Sequence, residues 1–210
     1  MTVFLGISLG IHARADVIGV GPSAFPALST VVDFTGLPTN REVNGLTVAG
    51  VRFDYTVAGA PLNGAVVIDG GPGVTNNVSP PNIVSVGNNT GILNITLPSA
   101  VNLLGYGFAI LNGVTIANAT SVSAFSGSTL LGSVSFTGRP DPGFTGGFAG
   151  ISSTTAFNRV ALTFNSAAAP AFAVDNVRFA SIPEPSTLAL VLGVGVLFLA
   201  GALRSRIRRR

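Results

Sequence analysis

The chain has 210 residues, among them 27 glycines and 14 phenylalanines, with no cysteine, no tryptophan and a single histidine, and a formal net charge of +3. All eleven basic side chains are arginines, so thiolate chemistry, Cys-His pairs, Schiff-base lysines, disulfide support and histidine-rich zinc sites are excluded. The positive charge does not describe the body of the protein: residues 16–185 hold five arginines against eight acids, a net of −3, so no nucleic-acid partner is expected.

In chain order, residues 3–11 form a short apolar stretch, and Ala13-Arg14-Ala15 places small residues at the two positions that signal-peptide cleavage requires. Residues 1–15 are therefore expected to be a signal peptide cut before Asp16, which removes His12 and with it any Ser-His-Asp arrangement. Met1-Thr2 lacks the positive charge of such a segment, so the translation start is expected upstream.

Residues 16–180 read as short strands between turn residues. The first, 31–34, is ended by Gly36-Leu37-Pro38. Residues 48–57 alternate around Val51, Phe53 and Tyr55, the period of a strand with one buried face, and 65–68 stop at Asp69-Gly70-Gly71-Pro72-Gly73. A polar loop with Thr75-Asn76-Asn77 and Ser79-Pro80-Pro81 follows, of the kind that carries specificity. Strands are then predicted at 92–97 and 103–111. The next two, 120–125 and 129–136, form a hairpin across Ser126-Gly127-Ser128. Beyond the loop Arg139-Pro140-Asp141-Pro142-Gly143 lie strands 147–151, 160–164 and 172–179. About ten strands without helical periodicity imply an all-β fold, an antiparallel β-sandwich of jelly-roll type.

Elimination leaves little catalytic chemistry. Gly70-Gly71-Pro72-Gly73 lacks the Lys-Ser/Thr and the following helix of a phosphate loop, and eight scattered acids make a poor glycosidase pair, so a non-enzymatic domain is expected. A sugar-binding face would have to draw on Tyr55 and Tyr106, most phenylalanines being assigned to the core.

The chain closes with three ordered parts. Residues 181–187 are a Pro-Glu-Pro linker, and its two prolines remove backbone donors and hold the segment extended, as a protease requires of its substrate. Residues 188–203 are uncharged, with six Leu, three Val and one Phe, whose insertion into a bilayer is favourable by about 3 to 6 kcal/mol. As a helix this run spans about 24 Å, so Ser186, Thr187 and a snorkelling Arg204 are needed to reach across. In the tail, residues 204–210, Arg204, Arg206, Arg208, Arg209 and Arg210 hold the C-terminus in the cytoplasm and place the rest outside it.

Ser181-Ile182-Pro183-Glu184-Pro185-Ser186-Thr187, the apolar run and the arginine cluster together resemble the PEP-CTERM sorting signal of Gram-negative bacteria. The resemblance implies that an exosortase, a membrane protease, recognises Pro183, Glu184 and Pro185 and cuts near them. The protein would pass through an inner-membrane intermediate to the cell surface or the exopolysaccharide matrix. The block from Gly147 through Val160 to Ala173-Val174-Asp175-Asn176-Val177-Arg178-Phe179 is similar to the closing strands of galactose-binding-like sandwich domains. That likeness implies a structural calcium at Asp33 and Asp175, with Asn176 beside them, although the residues by themselves read first as acceptors of backbone hydrogen bonds at strand ends. No other cofactor is expected. The reading that follows is an exported surface or matrix protein; the alternatives are a lectin-like module binding polysaccharide and a permanently anchored periplasmic domain.

Overall fold

The computed structural model describes residues 16–68, 75–85 and 89–182. The expected signal peptide with Ala13 and Ala15, the motif from Pro183 to Thr187, the apolar run and the five terminal arginines lie outside them. Among the described residues no helix is long and apolar enough to cross a membrane.

Thirteen strands form among the described residues. They are β1 (Val17–Gly19), β2 (Thr30–Val32), β3 (Arg41–Glu42), β4 (Leu46–Val48), β5 (Val51–Val57), β6 (Ala60–Pro61), β7 (Ala65–Ile68), β8 (Asn82–Ser85), β9 (Ile92–Ile110), β10 (Ile116–Ser126), β11 (Thr129–Asp141), β12 (Phe144–Phe164) and β13 (Phe172–Ala180), with one 3-10 turn at Pro22–Ala24. Turn chemistry sets several of the boundaries. The strand expected over 48–57 is divided, because Ala49 and Gly50 both take positive φ, 48° and 79°, in a two-residue hairpin loop that pairs Val48 with Val51. Pro142 followed by Gly143 at φ 86° makes the turn between β11 and β12 in the same local manner. The predicted hairpin across Ser126-Gly127-Ser128 is present, with Ser126 opposite Thr129.

Two further expectations are corrected. The strands read separately at 92–97 and 103–111 are halves of β9, and those at 147–151 and 160–164 are halves of β12. Pro98 cannot donate to a ladder, yet it sits where the chain bends and the register between β9 and β12 is interrupted, so the strand continues through it.

The bends let both long strands serve two sheets. In the front sheet β5 pairs with the first half of β9, which pairs with the second half of β12, then β10, then β11; β4 and β6 flank β5. In the back sheet β1 pairs with the first half of β12, followed by the second half of β9 and β13; β2 and β8 share the far edge of β13, and β7 and β3 follow β8. Every one of these pairings is antiparallel. The layers meet face to face as an antiparallel β-sandwich: Phe34 packs edge-on against Phe53 with ring centroids 5.4 Å apart, and Phe164 stacks on Phe172 at 3.9 Å. Tyr106 of the back sheet shares a 2.7 Å hydrogen bond with Thr120 of the front sheet, which satisfies both buried hydroxyls.

Candidate functional site

The period-2 alternation that buries Phe53, Tyr55, Leu93, Ile95, Val122, Ala124, Val160 and Leu162 sends the intervening residues to the outer face of the front sheet. The strand register then gathers those residues into rows across five strands. One row runs Ser133, Ser123, Ala161, Asn94, Asp54, and the next runs Phe125, Arg159, Thr96, Arg52. The result is a polar platform built from hydroxyls, one carboxylate, one amide and two guanidinium groups.

Its side chains are ordered by one another. The Arg159 guanidinium lies 3.8 Å from the centroid of the Phe125 ring, and its Nη1 donates to Asn94 Oδ1 at 3.3 Å. Asn94 Nδ2 donates in turn to Thr56 Oγ1 at 3.3 Å. Arg52 forms a forked pair with Asp54, Nε to Oδ2 at 2.7 Å and Nη2 to Oδ1 at 3.0 Å. The hydrogen bond from Arg52 holds the Asp54 carboxyl below the usual carboxylate range. Arg159 has no carboxylate partner among the described residues, so one planar cation, stacked on a ring, faces outward uncompensated. Two hydroxyl pairs, Ser121 with Ser135 and Ser123 with Ser133, each at 2.7 Å, extend the platform to its edge.

None of Arg52, Asp54, Asn94, Phe125 or Arg159 was singled out from sequence. The signal was present in part, since Arg52 and Asp54 are the outward positions of the alternating stretch. Tyr55 and Tyr106, the aromatics expected on a sugar-binding face, are instead fully buried. Tyr55 has a core role there: its hydroxyl accepts the Gly91 N–H at 3.0 Å.

Asp175 lies on β13 of the other sheet, and Asp33 directly follows β2 at its edge. Asp175 is 1% exposed, and its Oδ2 accepts the Ser79 N–H at 3.0 Å, the Ser79 hydroxyl at 3.2 Å and Asn176 Nδ2 at 3.0 Å. Its Oδ1 is buried without a partner. Asp33 is exposed, caps the Thr35 N–H through Oδ1 at 3.2 Å, and is near enough to Asp175 to disfavour a second negative charge. Calcium takes roughly six to eight oxygen ligands. Among the described residues no third acidic, histidine or cysteine side chain joins these two.

Asp175, together with Asp141, docks a loop. Asp141 accepts the Asn76 N–H at 3.2 Å, the Asn76 side-chain amide, and Asn77 Nδ2 at 2.9 Å, while Asn176 Nδ2 reaches the Asn77 carbonyl at 3.2 Å. The loop assigned to specificity, residues 75–81, is therefore fastened to the outside of the back sheet, with Val78 packed on Val84, Ala109 and Ala173.

Burial raises the Asp175 pKa above its ordinary value, ahead of the opposing hydrogen bonds. A raised folded-state pKa means that this group's contribution to stability is complete below the unfolded value, about 3.9, and is lost as pH rises through the folded value. Asp175→Asn is expected to keep the acceptor, abolish that decline and melt within about 1 kcal/mol of the wild type at neutral pH, whereas Asp175→Ala orphans the donors and costs about 2–3 kcal/mol. Melting temperatures of the three proteins across acidic to neutral pH check both statements.

No protein-family model and no curated protein matches the chain. Among solved structures, a family 29 carbohydrate-binding module is similar at 10% identity over 84% of this chain and 99% of that one, with a TM-score of 0.38. A point variant of a family 29 module complexed with cellulohexaose is 9% identical over 82% and 99%, with a TM-score of 0.41. The catalytic domain of Agl-KA is 13% identical over 49% of this chain and 22% of that one, with a TM-score of 0.34. Likeness this loose assigns no function.

Proposed function

We propose that the protein is an exported, non-catalytic β-sandwich of jelly-roll type that binds polysaccharide on the outer face of its front sheet. The observation that supports it best is the platform itself. A sugar ring offers hydroxyl donors and acceptors and weakly polar faces. The forked Arg52–Asp54 pair, Asn94, and Arg159 stacked on Phe125 present matching groups in a preorganised array. Arg52 is 60% exposed, and an exposed ion pair adds little to stability, so an ordered fork there is better understood as positioned for a ligand. Arg52→Ala is accordingly expected to leave the melting temperature unchanged while reducing retention on immobilised polysaccharide severalfold. Loss of retention together with loss of folding would overturn the assignment.

Delivery completes the proposal. The Pro183-Glu184-Pro185 motif, the apolar run and the arginine tail suit a chain held transiently in the inner membrane, cut by an exosortase and released to the surface or the exopolysaccharide matrix. Glu184 and its flanking prolines serve as the recognition element, and the five arginines set orientation. The test is the intact mass and C-terminal peptide of the protein recovered from its native cells after separation of membrane from matrix. A matrix form ending within residues 183–187 is expected. A chain ending at Arg210 in the inner membrane would make the segment a plain anchor.

A further inference from the structure

An exposed strand edge is an open template for pairing with another chain, and proteins blunt such edges with short strands, charges, prolines or bulges. Nearly every edge of this sandwich is managed in that way. β1, β2 and β4 have three residues each; β3 consists of Arg41–Glu42, both charged; β6 has two residues and ends in Pro61. β11 is different. Residues 129–138, Thr-Leu-Leu-Gly-Ser-Val-Ser-Phe-Thr-Gly, contain no charge and no proline, and their only ladder partner among the described residues is β10. The first guarding residues are Arg139 and Pro140, and the ladder with β10 shifts register twice, between the Gly138 and Phe136 pairings and between the Gly132 and Leu130 pairings.

We propose that β11 is an assembly edge that pairs, antiparallel, with β11 of a second copy. Opposed residues in a ladder project to the same face, which restricts the allowed registers. The one that sets Gly132 opposite Gly138 of the second copy centres a two-fold axis on Ser135. Ser135 then faces Ser135 of the second copy, Ser133 faces Thr137, and Val134 faces Phe136. On the outer face this prolongs the hydroxyl pairing already made with Ser121 and Ser123. On the inner face Val134 and Phe136, only partly buried against the core, gain cross-strand apolar neighbours on their open side. The contact is isologous, so it closes on a dimer and consumes the edge. Its axis is normal to the sheet, and both front faces look the same way, forming one doubled platform. That last consequence rests on the glycan reading; the pairing itself does not.

The chain has no cysteine, so one substitution reports the register directly. In the full chain in mild detergent, Ser135→Cys is expected to form a covalent dimer under mild oxidation, because cross-strand neighbours lie within disulfide reach. Thr163→Cys, exposed on β12 and away from the edge, is expected to remain uncrosslinked. In sedimentation velocity the wild type should double its mass with concentration and Ser135→Lys should not. Equal crosslinking of the two cysteine variants, or a wild type that stays monomeric up to its solubility limit, would overturn the proposal. Should Ser135→Lys fail to fold, the cysteine pair still decides, since hydroxyl to thiol is a conservative exchange.

Discussion

Gly107→Ala is expected to destabilise the domain by about 3 kcal/mol, lowering the melting temperature by roughly 6–12 °C, with residues 75–81 detaching first. Gly107 lies in β9 opposite both Phe148 and Asp175, directly beneath the docked loop. A Cβ there would stand 1.9 Å from the Asn77 carbonyl oxygen, far inside contact distance. The obstacle is backbone, held from both ends by Asp141 and Asp175, so it cannot turn aside as a side chain would. Gly105→Ala provides the comparison, since its Cβ would meet the tips of the Phe148 and Phe25 rings at 2.4 and 2.8 Å. Rings can tilt, and a smaller loss of about 1 kcal/mol is expected. Thermal melting with hydrogen exchange over residues 75–81 checks the pair. Wild-type protection of that segment in Gly107→Ala would refute the docking account.

Arg159→Ala is expected to weaken polysaccharide binding on the order of tenfold or more, the loss typical of a central arginine in a recognition surface. Arg159 occupies the middle of the platform, joins Phe125 to Asn94, and has no carboxylate among the described residues to neutralise it. Removing it deletes a donor fork and also bares the Phe125 ring, so Arg159→Lys should recover only part of the affinity: a point charge stacks poorly and cannot present a planar fork. Calorimetric titration of the three proteins with one retained polysaccharide measures this. Full recovery in the lysine variant would mean that charge alone mattered.

Strand existence was legible because the alternation is clean: Leu93, Ile95 and Leu97 are the buried members of the first half of β9, as the period requires. Strand limits were less so. The gap left between the strands at 92–97 and 103–111 is continuous strand through Pro98, since an interrupted ladder leaves its missing N–H unmissed, and the Ala49-Gly50 hairpin was hidden because alanine does not advertise a positive φ. The platform was legible only residue by residue. Position 52 faces outward by period alone, yet its row mates Thr96, Arg159 and Phe125 come from three distant strands, and periodicity carries no pairing order. Asp175 was picked out as a strand acid, but its partner Ser79, 96 residues away, is a tertiary fact.

Affinity gel electrophoresis of the full chain beside Arg159→Ala, with and without soluble polysaccharide in the gel, bears most directly on the central claim. The wild type should be retarded in proportion to the amount of at least one polysaccharide, and the variant should migrate as it does in the blank gel. Equal retardation of both, or free migration of the wild type through every polysaccharide tried, would contradict a glycan-binding front face.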